Sequence, residues 1–243
     1  MKRVAVIQAR TGSSRLPGKI LMDLGGQPML AQVVRRVRRA TLVDEVVVAT
    51  TERRGDDAVE DLARALGVAV FRGSERDVLS RYVGAARASD ADVVIRLTAD
   101  CPLLDAALID DVVRMLCDAG HAADYVSNVV RRTYPRGLDV EAMFRDVLER
   151  VDRLARSPES REHVTYLILR EQPSLFLVRG MMDAEDNSDL RWTVDEAADL
   201  EMARTLYREL DVTEGLASYR TILDWVRLHP AVSAINAGVR QKA

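Results

Sequence analysis

Apolar and polar positions follow two spacings along this chain. Three short runs, Val4–Ile7, Val46–Ala49 and Val93–Leu97, are nearly unbroken and rich in β-branched residues. Strands covered by helices on both faces have this pattern. Between the runs the apolar spacing becomes helical. Leu30, Val33, Val34 and Val37 line one face of a helix predicted over 29–39. Val59, Leu62, Ala63 and Leu66 do the same over 56–66, where Gly67 supplies the stop. A further strand at 68–71 precedes helices at 78–88 and 103–119, the second with Asp105 as candidate N-cap. This alternation predicts an α/β fold, a mostly parallel central sheet with helices on both faces. The second half is less regular, with candidate strands at 125–129, 139–143 and 175–178 and helices at 162–170, 195–208 and 218–228. No repeat, low-complexity stretch or long linker divides the 243 residues, so a single domain is expected.

Composition narrows the class of protein. The 35 basic and 38 acidic residues are interspersed, and no polybasic arm or acidic tail points to nucleic acid or a membrane surface. Cys101 and Cys117 cannot build a disulfide framework and form no C-x-x-C pair. The apolar run in MKRVAVIQARTG is too short for a signal peptide, and no stretch approaches the roughly 18 apolar residues that cross a bilayer. A reduced, soluble, cytoplasmic protein is expected. One asymmetry stands out: only Lys2, Lys19 and Lys242 are lysines, and only Lys19 lies away from the ends of the chain.

Lys19 sits in the loop after the first strand, QARTGSSRLPGK. Open α/β sheets place ligands at such loops. Gly12 permits close backbone approach, Ser13 and Ser14 carry hydroxyls, and Arg10, Arg15 and Lys19 put three cations within ten residues. Such a loop can wrap a polyphosphate. It is no P-loop, because five residues separate Gly12 from Gly18 and Ile20 follows Lys19; the dinucleotide fingerprint is absent as well. The competing reading is a plain surface connection.

Two carboxylates complete the chemistry. Asp100 stands at the carboxyl tip of the third strand, before Cys101 and Pro102. Asp195 precedes a predicted helix, where it is either an N-cap or, if the fold brings it to Asp100, half of a two-carboxylate magnesium site. Cys101 reads as a small buried thiol rather than a nucleophile.

The segments QARTGSSRLPGKIL, VVVATTERRGDD, VFRGSERDVLSRY, VIRLTADCPLLD, YVSN with TYPRGLDVE, REHVT and RWTVDEAADLE occur together and in this order. In them the chain resembles the family of spore coat polysaccharide biosynthesis protein F, a branch of the cytidylyltransferase superfamily that also holds the CMP-Kdo and CMP-acylneuraminate synthetases. The resemblance covers about residues 1–210; the tail beyond about Glu214 carries no such motif. It implies a nucleotide-diphospho-sugar transferase (Rossmann-like) fold, with a nucleotide-binding half over about 1–120 and an acceptor and dimer half over about 121–243. It also implies a homodimer that uses CTP, Mg²⁺ and a sugar or sugar-acid-like acceptor.

The resemblance places Ala9 and Arg10 against the nucleotide and Arg10, Arg15 and Lys19 on its phosphates. Asp100 and Asp195 become the metal ligands. Thr50, Ser74 and Arg81 fall to the base and ribose, with Thr98 beside them, and Tyr134, Arg136, Asp139, Glu141 and His163 to the acceptor. Two positions depart from the pattern: Ala99 replaces a glycine, and Thr98 a glutamine found in the CMP-Kdo synthetases.

The expected reaction is transfer of CMP from CTP to an acceptor oxygen with release of pyrophosphate. Lys19, Arg15, Arg10 and Asp100 form the expected catalytic set, with His163 a candidate base that competes with a structural role. The alternatives are a glycosyltransferase, which would want a second acid where Thr98-Ala99 stands, and a non-catalytic nucleotide-binding protein. Lysine offers a compact point charge where arginine offers a planar fork, so Lys19 reads as the residue on the leaving pyrophosphate.

Overall fold

The computed structural model describes residues 1–119, 122–210 and 217–241; Glu214 and Lys242 lie outside the described residues. In chain order the strands are β1 (Arg3–Gln8), β2 (Asp23–Leu24), β3 (Gln27–Pro28), β4 (Glu45–Thr51) and β5 (Ala69–Gly73). They continue as β6 (Val93–Thr98), β7 (Tyr125–Ser127), β8 (Glu141–Phe144) and β9 (Val178–Gly180). The helices are α1 (Met29–Val37), α2 (Asp57–Ala65), α3 (Val78–Ala88), α4 (Ala106–Ala119) and α5 (Arg145–Leu154). After them come α6 (Pro158–Glu162), α7 (Ala197–Glu209), α8 (Tyr219–Leu228) and α9 (Pro230–Ala234).

Seven strands form one sheet in the order β5-β4-β1-β6-β8-β7-β9. The pairs β5/β4, β4/β1, β1/β6 and β7/β9 are parallel, whereas β8 runs antiparallel to both β6 and β7. The expected mostly parallel sheet is present, and the reversed β8 is the irregularity of the second half. β1 shows why both faces are covered. Its Ala5 and Ile7 enter one core with residues of α1, α4 and α7, while Val4 and Val6 enter a second core with α3 and α5. That two-sided burial is what an unbroken apolar run requires.

The helices predicted at 29–39, 56–66 and 78–88 form within two residues of those limits. Asp105 caps α4 as expected, its Oδ1 accepting from the Leu108 N–H at 3.0 Å. Three expectations change. The helix predicted over 162–170 is instead the short α6 followed by a π-helical turn at Leu167–Glu171, because Val164 takes φ +49° between them. The strand predicted at 175–178 starts only at Val178, since Pro173–Leu175 is a 3-10 turn. The strand predicted at 139–143 starts at Glu141, because the Asn128 side chain bonds Leu138 O and the Val140 N–H ahead of it. Two helices were not anticipated: α5, which buries Val147, Leu148 and Val151 at helical spacing, and the short α9. Among the described residues no helix is long and apolar enough to cross a membrane.

Parallel register brings the carboxyl ends of β1 and β6 together, Gln8 beside Thr98. Ala9 and Ala99 prolong the ladder by one step each, donating to Ala49 O and Gln8 O at 3.0 Å. Beyond these two alanines the chain opens into the site.

Candidate active site

The loop after β1 is closed on itself. The Ser13 and Gly18 N–H groups both donate to Thr11 O, at 2.8 and 2.9 Å. Thr11 is in turn anchored on Asp56 Oδ1, through its N–H and its Oγ1, both at 2.7 Å. Burial pushes the Asp56 carboxyl upward, but the bonds from Thr11 and Thr51 outweigh it and hold the pKa below its ordinary value. Gly18 then takes φ +71°, a conformation that glycine reaches without strain. This bend leads into the single 3-10 turn Lys19–Leu21 and sends Lys19 inward, where it is 6% exposed.

The Lys19 ammonium has three acceptors: Asp100 Oδ2 at 2.8 Å, Asp195 Oδ1 at 2.9 Å and Val194 O at 2.6 Å. Burial disfavours the charge, yet Asp100 and Asp195 outweigh it and raise the pKa above the usual lysine value. For Asp195 burial works upward, and its bonds to Lys19 and Arg191, with the charge of Arg15, bring the pKa below the ordinary carboxylate value. Its second oxygen, Oδ2, accepts from Arg15 Nη2 at 2.9 Å and from Arg191 Nη2 at 2.7 Å. Asp100 Oδ1 accepts from Thr98 Oγ1 at 2.7 Å.

The meeting of residues 100 and 195 depends on a strand-like pairing. Val194 N–H and Thr193 Oγ1 both donate to Asp100 O, at 2.8 and 3.1 Å. The other side of that segment is held by Arg136 O, which accepts from the Trp192 and Thr193 N–H groups. Next to it Gly137 has φ +107°, and a Cβ there would lie 2.3 Å from Thr193 N. Only glycine fits against this backbone.

Asp195 does not cap the following helix. Glu196 is the N-cap of α7 and forms a reciprocal capping box with Asp199. The fully buried Asp199 also accepts from the Asp195 N–H at 2.9 Å and from Arg191 Nε at 2.9 Å. Arg191, Glu196 and Asp199 were not singled out from the sequence. The available signal was the four-residue spacing of Arg191, Asp195 and Asp199, which stacks them on one side of a turn.

Arg10, Ser13, Lys19, Thr98, Asp100 and Asp195 line a cleft of about 310 Å³, and Gly12, Ser14 and Arg15 border it. The loop cations, Thr98 and both aspartates are therefore brought together. Arg10 faces Glu75, 3.9 Å away. Cys101 is buried, and burial followed by the Asp100 charge raises its thiol pKa well above normal, as suits an inert thiol.

A second group lies deeper. Thr50 and Arg81 are fully buried; Arg81 Nη1 donates to Ser74 O, whereas Arg81 Nε and Nη2 and Thr50 Oγ1 have no protein partner. Burial lowers the Arg81 pKa. The sequence-assigned acceptor residues are scattered. Arg136 forms no ion pair among the described residues and lines a neighbouring cleft of about 480 Å³ with Arg191, Ser233 and Gln241. Asp139 is held in a two-pronged pair by Arg132, at 2.6 and 2.8 Å. Glu141 is buried against Arg96 and the Tyr125 hydroxyl, and Tyr134 packs on the Tyr219 ring at 5.4 Å. His163 is exposed at the end of α6, with its ring 6.4 Å from Tyr166.

Oxygen donors suited to a hard cation are present: two carboxylates and a carbonyl already surround one positive charge, the Lys19 ammonium. Among the described residues no group of three His, Cys, Asp or Glu side chains gathers to hold a metal by itself. A cation here would draw its remaining ligands from elsewhere, as Mg²⁺ does from phosphates and water.

Comparison with known proteins fits this chemistry. Residues 4–214 match the family described as cytidylyltransferase. The chain is 35% identical to the spore coat polysaccharide biosynthesis protein SpsF of Bacillus subtilis, over 84% of this chain and 85% of that one. A solved cytidylyltransferase from Leptospira borgpetersenii superposes with a TM-score of 0.92 and 32% identity, and the match covers all of both chains. The structure of CMP:2-keto-3-deoxy-manno-octonic acid synthetase complexed with CTP superposes with a TM-score of 0.68 and 27% identity. That match covers 86% of this chain and all of the other.

Proposed function

The chain belongs to the cytidylyltransferase family, and from that membership we propose that it transfers CMP from CTP to a hydroxyl of a sugar or sugar-acid-like acceptor, releasing pyrophosphate. One observation carries the reading to residues: Lys19 and Arg15, from the loop after β1, converge on Asp100 and Asp195 in one cleft.

In the reaction an acceptor oxygen attacks the α-phosphorus of CTP. An O–P bond forms as the bond to the bridging β-oxygen breaks, the hydroxyl loses its proton, and pyrophosphate departs. Such a transfer asks the protein for alignment and charge neutralisation rather than for covalent chemistry. A triphosphate over the loop offers oxygens that compete with Asp195 for Arg15 and with both aspartates for Lys19. Arg10 is already exposed to the cleft beside Glu75. As negative charge builds on the leaving group, the Lys19 ammonium and the Arg15 fork neutralise it.

Asp100 and Asp195 would hold Mg²⁺, which when bound supplies charge neutralisation at the α-phosphate and a lowered pKa for the acceptor oxygen. Thr50, Ser74 and Arg81 would take the nucleoside. The unpartnered Arg81 Nε and Nη2 are buried donors suited to acceptor atoms such as cytosine O2 and N3. Arg136, with a guanidinium unclaimed by any ion pair among the described residues, is the residue assigned to the acceptor.

The test is pyrophosphate release with each of the four ribonucleoside triphosphates against 3-deoxy-ulosonic acids, other sugars and small hydroxyl compounds. Release with CTP and one acceptor class, abolished in Asp100→Asn, is the expected result. Tight nucleotide binding without release would make the protein a non-catalytic binder. Sugar transfer from a nucleotide sugar without pyrophosphate would make it a glycosyltransferase.

A further inference from the structure

The matched family stretch ends at residue 214, yet the hydrogen bonds that fix Asp195 do not. After α9 the chain returns to the site. Asn236, 3% exposed, donates from one Nδ2 to Asp199 Oδ1 at 2.8 Å and to Arg191 O at 3.0 Å. Asp199 accepts from Arg191 Nε, and Arg191 Nη2 donates to Asp195 Oδ2. Farther along, Gln241 Oε1 accepts from Arg191 Nη1 at 2.7 Å, and Arg240 O accepts from Arg15 Nη1 at 3.4 Å. A single line of bonds therefore runs from Asn236 through Asp199 and Arg191 to the carboxylate that faces Lys19.

We propose that Asn236 is a positioning residue for the transfer reaction, setting through Asp199 and Arg191 the angle at which Asp195 presents its carboxylate to the cleft. Each link has a physical reason. Arg191 spans two acids, Asp195 and Asp199, and without a fixed Asp199 its fork could swing away from Asp195. Asp199 has one oxygen committed to the N–H groups of Asp195 and Glu196. Arg191 reaches both oxygens, Oδ1 through Nε and Oδ2 through Nη2 at 3.2 Å, and Asn236 Nδ2 adds the second bond to Oδ1, so the amide helps to fix the plane in which the carboxylate meets Arg191. The Asn236 bond to Arg191 O pins the backbone of the same arginine. Partners of this outer kind, which orient the groups that touch a metal or substrate, typically change affinity or activity by about 10–100-fold when lost. The chain from Leptospira borgpetersenii, matched over its full length, extends alongside this segment as well.

This inference rests on the reading that Asp195 works at the reaction centre, and the test separates the two. Asn236→Ala and the isosteric Asn236→Asp are compared with wild type for pyrophosphate release from CTP, KM for CTP and Tm. A positioning role predicts that kcat falls about 10-fold or more in Asn236→Ala while KM for CTP stays within about twofold. Asn236→Asp, which keeps the volume but sets a carboxylate against Asp199, is predicted to be the worse of the two. Wild-type turnover in either variant overturns the proposal. So does the opposite ranking, with Asn236→Asp close to wild type, because that is the signature of packing alone. If wild type itself releases no pyrophosphate, the proposed reaction fails while the inference is still judged, by Mn²⁺ binding in the presence of CTP followed by electron paramagnetic resonance. Affinity about 10-fold weaker in Asn236→Ala sustains it. Equal affinity, or no Mn²⁺ bound by wild type, overturns it.

Discussion

Lys19 and Asp195, 176 positions apart in the chain, are joined by a hydrogen bond of 2.9 Å whose donor is also held by Asp100. The lysine is thus held between the two acids and is not simply a free cation of the loop. Lys19→Ala should fold and lose about 10²–10³ of its turnover, the loss seen when one preorganised donor to transition-state charge is removed. Lys19→Arg should be impaired too, because a planar fork does not fit among three oxygens placed for an ammonium. Pyrophosphate release from CTP plus acceptor, with a thermal melt to establish folding, measures both.

Removing the ammonium takes away the one cation shared by Asp100 and Asp195, leaving Asp195 with Arg15 and Arg191 and Asp100 with no cation beside it. Lys19→Met, similar in length and neutral, should therefore bind Mn²⁺ more tightly than wild type when no nucleotide is present, by about 10-fold or ~1.4 kcal/mol. Isothermal titration with Mn²⁺ decides the matter. Equal affinities would mean that the lysine and the metal do not share the cradle.

Arg81 should show stability and binding moving in opposite directions. Two of its nitrogens are buried with no partner, and replacing an unsatisfied buried charge by an apolar side chain is commonly neutral or stabilising. Arg81→Met should keep or raise Tm while weakening CTP at least about 10-fold, ~1.4 kcal/mol. Fluorescence or calorimetric titration with CTP, alongside the melt, reads both.

Gly137→Ala should be among the most damaging small changes. The added methyl meets Thr193 N at 2.3 Å, and the backbone angle of +107° is unfavourable for any residue with a Cβ. A cost of about 2–5 kcal/mol follows from the clash and the strain together, and since Thr193 carries Val194 and Asp195, activity should fall with stability. Urea unfolding measures the loss.

Acid should destabilise the protein through Asp56, Asp195 and Asp183, the last a buried carboxylate that accepts from the Tyr219 hydroxyl and Arg220; against the upward push of burial, their bonds hold all three below the ordinary 3.8. Groups depressed in the folded state contribute stability above the unfolded value and lose it as pH falls through the folded value. The Lys19 pKa is raised, so its contribution is complete at neutral and acid pH and is lost only above its usual 10.5. Tm should accordingly be flat near neutrality and decline as pH drops below about 4. The decline should be shallower in Asp195→Asn.

The periodicities disclosed the sheet, because residues that must be buried on both faces leave an unbroken apolar run. The residue types behind the first strand, Gly12, Gly18 and three cations, marked the loop that lines the cleft. What they could not disclose is long-range pairing. Nothing local says that the Lys19 ammonium turns onto Asp100 and Asp195, or that Glu141 pairs with Arg96 across the sheet. Asp195 looked equally like a helix cap until Glu196 was seen to occupy that place. Asn236 was hidden for a further reason: one amide in the mostly small and apolar stretch PAVSAINAGV gives no local sign that it will meet a carboxylate and a backbone carbonyl. The split of the helix predicted at 162–170 turned on the backbone of Val164 alone, which a periodicity count does not sense.

The bond from Arg15 to the carbonyl of Arg240 spans 225 positions, and those of Lys19 span 81, 175 and 176. Contacts of such separation form late, since the loops they close must be ordered first. During synthesis Glu75 and Asp100 follow the cationic loop within the first half of the chain, whereas Val194, Asp195 and the Arg240 carbonyl, which complete the partners of Lys19 and Arg15, emerge much later. In refolding, the sheet should regain its signal ahead of nucleotide binding. Nucleotide competence is expected to return last, with the contacts to Asp195 and Arg240.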